Sequence, residues 1–174
     1  MPYSYPEVGQ SAREFPAGYD HDRNAVKLGE GKELFEAAKV ALLSWKMFPA
    51  PWTTVFPSPI QLTEGQEVAV MFRLFGVWWW NSCRIVYTFD EPHRVGFAYG
   101  TLEDHVEKGE EIFCLTMEED GSVWYRIEAF SQPRWWPLKV LKPYARMMQR
   151  KFGRESKQQM KRETSRFTNL TSTS

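Results

Sequence analysis

From residue 67 to residue 131 the chain alternates strand-forming runs with turn chemistry, and the turns leave room only for antiparallel neighbours. Residues 52–56, 67–75, 77–89, 94–102, 110–118 and 122–131 are rich in aromatic and β-branched residues. In 67–75, Val68, Val70, Phe72 and Leu74 alternate with Ala69, Met71, Arg73 and Phe75. The connectors are Thr63-Glu64-Gly65-Gln66, Asp90-Glu91-Pro92-His93 and Glu119-Asp120-Gly121, the last ending in the Asp-Gly pair that favours tight hairpins. This pattern predicts a meander of about six strands.

Helical periodicity flanks the meander. Leu34, Ala38, Ala41, Leu42, Trp45 and Phe48 recur at three-and-four spacing, predicting a helix over 31–48 that Pro49 and Pro51 terminate. After Pro133 and Pro137, which bracket Trp135-Trp136, a second helix carries Leu141, Tyr144, Met148 and Phe152 as a narrow apolar stripe. Gly153 is expected to weaken or end its first half, and 154–166 is polar, anchored by Met160. A curved sheet with one apolar face needs a cover, and a long terminal helix supplies it. The expected class is α+β: a helix-grip domain over residues 29–166, preceded by an extended segment (1–28) and followed by a disordered tail (167–174).

Such a fold can leave a cavity between helix and sheet. Phe72, Trp78, Trp80, Val86, Phe97, Tyr99, Phe113, Leu115, Trp124 and Ile127 are the expected lining; the alternative is that they fill the space. The best polar constellation is the loop from His105 to Glu111. His105 and Glu107, two apart, share a face of an extended segment, and a histidine beside carboxylates can act as a base, a proton shuttle or a ligand. Glu110 or Glu111 can add an oxygen. The structural alternative is a turn at Gly109 with its acids bonded to backbone or arginine. The spacing is not that of a known metal motif, and no cofactor fingerprint is present. Arg84 and Arg126 interrupt apolar strands. Each either points outward or, turned inward, meets Glu111, Glu128 or a ligand carboxylate. Asp20-His21-Asp22 reads as a solvated cluster.

Charge is segregated although the net is zero: residues 134–174 carry eleven basic and two acidic side chains, and residues 1–133 eleven basic and twenty acidic. The basic end either packs on the acidic body or reaches an anionic membrane through Arg146, Arg150, Lys151 and Arg154; nucleic-acid modules are not recognisable. Cys83 and Cys114 lack metal spacing and read as two buried, reduced thiols. With no signal-peptide pattern and no apolar run of spanning length, the expected location is the cytoplasm.

Five segments carry a resemblance: Leu28-Gly29-Glu30-Gly31, residues 81–87 (Asn81 to Tyr87), residues 97–102 (Phe97 to Leu102), residues 105–113 (His105 to Phe113) and Ala129-Phe130-Ser131-Gln132-Pro133. Through them the chain resembles the DUF1990 family, also called UPF0548, of plant and bacterial uncharacterised proteins. It departs from that pattern at Asp104, where Gly is usual, and at Gln132, where Arg is usual. The resemblance implies a START-like helix-grip fold and supplies no substrate. The leading expectation is a binding domain for an apolar or lipid-like small molecule, contacted by Arg84, Phe97, Tyr99, Thr101, His105, Phe113 and Trp124. The alternatives are an acid–base or metal-assisted enzyme using His105 with Glu107 or Glu111, and a peripheral membrane adaptor.

Overall fold

The computed structural model describes residues 1–57, 62–74, 76–134 and 142–171; Phe75, Trp135, Trp136 and Leu141 of the sequence reading lie outside them. Strands β1 (Asp20–Glu30), β2 (Thr53–Phe56), β3 (Glu67–Leu74), β4 (Val77–Glu91), β5 (Arg94–Thr101), β6 (Glu107–Met117) and β7 (Ser122–Pro133) form one antiparallel sheet in the order β1-β7-β6-β5-β4-β3-β2. Helices α1 (Lys32–Leu43) and α2 (Lys142–Thr171) cover one face. The β2–β7 meander follows the alternation and turns of the sequence. Bulges between Ile85 and Tyr87 and between Lys27 and Gly29 add local bend and twist.

The additional strand, β1, corrects the sequence reading. The boundary drawn at residue 28 falls inside it, and it pairs along β7 from Asp20↔Ser131 to Glu30↔Ser122. Its half-buried positions begin with Asp20, Asp22 and Asn24, so polar alternates with polar in its first half, and only Val26 and Leu28 give an apolar alternation after it.

The core lies between the sheet and the helices. Phe35, Leu42 and Met47 meet Ile85, Val95, Phe97, Phe113, Leu115, Tyr125 and Ile127. α1 ends at Leu43, and Trp45 adopts a left-handed φ of 59° that returns its ring to the core, 4.7 Å from that of Phe97. α2 passes through Gly153 unbroken, contrary to expectation. A Cβ there would meet the Asn24 side chain at 3.3 Å, so glycine lets helix and β1 approach. Beyond it, Met160 is buried and Ser156 Oγ lies 2.9 Å from Tyr125 Oη. The helix continues to Thr171, past the residue where a disordered tail was expected to begin.

The N-terminal residues pack on the opposite face. Tyr5, Phe15 and Tyr19 surround Phe130 edge-on. Glu110, 2% exposed, accepts from Tyr5 Oη at 2.6 Å, Gly9 N at 2.8 Å, Ser11 N at 3.0 Å and Ser11 Oγ. Gly100 makes room for Tyr5, whose hydroxyl would lie 2.0 Å from any Cβ there. Glu110→Ala strands several buried donors at once and is expected to cost on the order of 3 kcal/mol. Urea denaturation reads the loss, and limited proteolysis should show cleavage within residues 1–18.

Candidate functional site

Between the sheet and the first half of α2 lies a hollow of about 700 Å³, lined mainly by apolar side chains. β5, β6 and β7 supply its floor with Tyr99, Glu111, Ile127, Ala129 and Ser131. The β3–β4 side supplies Val70, Phe72, Leu74 and Trp79, and α2 supplies Tyr144, Met148 and Phe152 as the roof. Trp79, Val106 and Arg150 are the exposed members of this wall and mark its mouth.

Strand parity sets the polar groups. Odd-numbered residues of β6 face inward, so the Glu111 carboxyl points into the hollow while that of Glu110 turns to Tyr5, Gly9 and Ser11 on the other face. Tyr99, opposite it in register, donates its hydroxyl to Glu111 at 2.5 Å. Burial pushes the Glu111 carboxyl up to about 7, the Tyr99 hydrogen bond only partly opposing it, and burial drives the Tyr99 phenol well above its ordinary value. Glu107 is also raised by burial, against the pull of Gln149, whose amide donates to both its oxygens at 2.9 and 3.1 Å. Gln149 also reaches Ser131 Oγ at 3.2 Å. Arg146 grips Asp22 through both guanidinium nitrogens, one of them 3.0 Å from Oδ1. His105 accepts the Glu107 backbone N–H on Nδ1 at 2.9 Å, which leaves the proton of the neutral ring on Nε2; burial lowers its pKa to about 4.

The structure therefore gathers Tyr99, Thr101, His105, Glu107 and Glu111 on one wall and disperses the other expected contacts. Thr101 is occupied closing the turn, its hydroxyl bonded to Gly109 N and O at 2.9 and 3.1 Å. Phe97 and Phe113 face inward but are sealed beneath Trp45 and Phe48. Arg84 and Trp124 lie on the opposite face by parity. Arg84 binds Glu67 and the Met1 carbonyl, and Trp124 donates to Ser122 Oγ at 3.0 Å. Arg126 also points outward and meets Glu118 at 3.1 Å. Of the basic set on α2, Arg146 is spent on Asp22, Lys151 stacks on Trp52, and Arg150 and Arg154 are exposed. Asp22, Asn24 and Gln149 were missed, each a polar residue in a segment that reads as solvated. Cys83 and Cys114 are free and buried. Among the described residues, no three His, Cys, Asp or Glu side chains converge as a metal site, and no helix is long and apolar enough to cross a bilayer.

The sheet, the terminal helix laid across it and the space between them define a helix-grip domain. Solved structures agree on the fold. The protein NE0264 of Nitrosomonas europaea superposes with a TM-score of 0.59 at 13% identity, covering 89% of this chain and 99% of that one. Ara h 8.0201 gives 0.51 at 14%, covering 82% and 98%. The di-domain ARO/CYC protein StfQ from the steffimycin biosynthetic pathway gives 0.57 at 8%, covering 87% of this chain and 52% of that one. Residues 4–159 match the family described as a domain of unknown function, DUF1990. A UPF0548 protein of Dictyostelium discoideum is 33% identical over 156 residues, covering 83% of this chain and 72% of its own. One of Deinococcus radiodurans is 35% identical over 142 residues, covering 74% and 71%. The chain belongs to the DUF1990 (UPF0548) family.

The two perturbed groups oppose each other in pH. Glu111 is raised from 4.5 to about 7, so between these values the unfolded chain releases a proton that the folded one keeps. Its contribution is present below pH 4.5 and is lost as pH rises towards 7, on the order of 3 kcal/mol in all. His105 is lowered from 6.5 to about 4, and its contribution is present above 6.5 and lost as pH falls. Glu111→Gln should match the wild type in stability near pH 4 and exceed it near pH 8. Denaturant titrations at both pH values measure the difference, and equal stability at both would contradict a raised Glu111.

Proposed function

We propose that this protein binds a small, largely apolar molecule in the hollow between the sheet and α2, held by one hydrogen-bonding group at the Tyr99–Glu111 couple. The observation that carries this reading is the hollow itself: about 700 Å³, apolar around most of its wall, with a protonatable carboxyl and a phenol together at its floor. Pockets of this volume and composition are the usual form of small-molecule sites. A protonated Glu111 donates as well as accepts, so the couple can meet a carbonyl or a hydroxyl. Arg84 has no part in this, being on the far face. The helix-grip fold, shared with Ara h 8.0201 and with an ARO/CYC protein, is consistent with a ligand-binding domain.

One observation favours a second reading, acid–base catalysis. A carboxyl pushed up to about 7 in an apolar site exchanges a proton readily near neutrality. On this reading Glu111 is the acid–base group, because His105 is held neutral far below neutral pH.

Native mass spectrometry of the purified protein should show a stoichiometric small molecule that denaturation releases. Ala129 faces the hollow opposite Glu111, so Ala129→Phe fills it from the floor. That variant should weaken uptake of anilinonaphthalene sulfonate by roughly tenfold or more while remaining folded. A bare polypeptide mass together with probe binding unaffected by Ala129→Phe would count against the reading.

A further inference from the structure

The tip of the β3–β4 hairpin is built for an environment other than water. β2 supports β3 only at residues 69–72, and β5 supports β4 only from Cys83 onward. Residues 73–74 with 77–78 therefore lie beyond both ladders, and residues 79–81 pair with β3 but have no β5 neighbour; such a projecting ribbon has little stability of its own in water. It nonetheless presents Val77, Trp78, Trp79 and Trp80 at 57, 43, 51 and 63% exposure. Adjacent exposed aromatics on a projecting ribbon form a continuous apolar patch, a mark of an interaction surface.

Both faces of the ribbon carry apolar side chains. Register and parity put Leu74, Val77 and Trp79 on the side of the hollow and Met71, Trp78 and Trp80, with Arg73 among them, on the other. A flat protein partner would cover one face and leave the other wet, whereas the headgroup and upper acyl region of a bilayer surrounds both. Indole is the side chain that partitions best to that region. Charge agrees: Arg73 on the ribbon and Arg150 across the mouth are exposed, and residues 134–174 carry a formal charge of +9. Asp104, at the ribbon's root, accepts from Ser82 Oγ at 2.6 Å and Trp80 Nε1 at 3.3 Å, so its charge is held behind the tip. Trp79 and Leu74 are also wall residues of the hollow. We infer that the β3–β4 tip is a wedge that inserts into the interface of an anionic membrane and brings the mouth of the hollow to the lipid surface.

The test is co-sedimentation of the full chain with vesicles of phosphatidylcholine containing about 30% phosphatidylserine, and with phosphatidylcholine alone. The wild type should pellet with the anionic vesicles, less so at high salt, and brominated lipid should quench its tryptophan fluorescence. The double substitution Trp78→Ser with Trp80→Ser touches only the face away from the hollow. It should lower vesicle binding by roughly tenfold or more, since each lost indole removes a large buried apolar area. Its thermal midpoint and its uptake of anilinonaphthalene sulfonate should stay at wild-type values, so that failure of the wedge is distinguishable from failure of the hollow. The inference is overturned if the wild type stays in the supernatant with both vesicles, or if the double variant pellets equally. It is also overturned if the tryptophans instead hold two copies of the chain together, read as a dimer that the double variant dissolves.

Discussion

Two consecutive carboxyls on β6 face opposite ways, and much of the molecule is arranged around that alternation. Glu110 turns outward and is saturated by donors from Tyr5, Gly9 and Ser11. A buried acid satisfied in this way organises chain whose own regular structure is little more than one 3-10 turn, Gln10–Ala12, and the N-terminal residues cover a face of the sheet that would otherwise be wet. Glu111 turns inward and has the Tyr99 hydroxyl beside it in an apolar space. Burial, only partly opposed by that hydrogen bond, is what raises its pKa.

The hollow lies under the first half of α2, where polar contacts at its edges hold the helix above the sheet. Arg146 holds the near end to Asp22, and Met160 and Ser156 hold the far half to the core and to Tyr125. Gly153 rests against Asn24, fixing the height of the helix over β1. The floor beneath the near half is made of small residues, Ala129 and Ser131, so the sheet does not rise to fill the gap. Interiors pack to crystal-like density where side chains can reach one another. Here Phe152 reaches Phe48 and Phe113 at one end of the hollow, while Arg146 and Gln149 hold the helix through polar contacts at the other.

The meander was legible because its strands alternate and its turns carry Gly, Asp and Pro at the required places. β1 was not, since its inward positions begin with Asp20, Asp22 and Asn24, and only Val26 and Leu28 follow as apolar ones, too few to make a period. Those inward polar residues face the basic α2, a match that only the tertiary arrangement makes visible. Within the site, parity alone groups His105, Glu107 and Glu111 on one face, and the structure keeps that grouping. Parity also puts Phe97 and Phe113 on the inner face, but depth decided their role: Trp45 and Phe48 seal them. Aromatic density misled in β4, where Trp78 and Trp80 were expected as lining and strand alternation sends Trp79, between them, inward instead.

A hollow with one polar couple in an apolar wall sets a particular kind of selectivity. Apolar contacts discriminate weakly between similar shapes, by about 1–3 kcal/mol per methylene, whereas a buried polar group left unmatched is costly. A molecule that offers nothing to Tyr99 and Glu111 leaves both desolvated, and one that carries a charge must find a counterion that the floor does not supply. The molecule best matched is neutral, mostly hydrocarbon and capped by a single carbonyl or hydroxyl. Such a molecule is sparingly soluble in water and concentrates in membranes. A mouth rimmed by Trp79 and Leu74 is chemically continuous with the phase in which that molecule resides, so the wall of the hollow and the exposed hairpin answer to one physical demand.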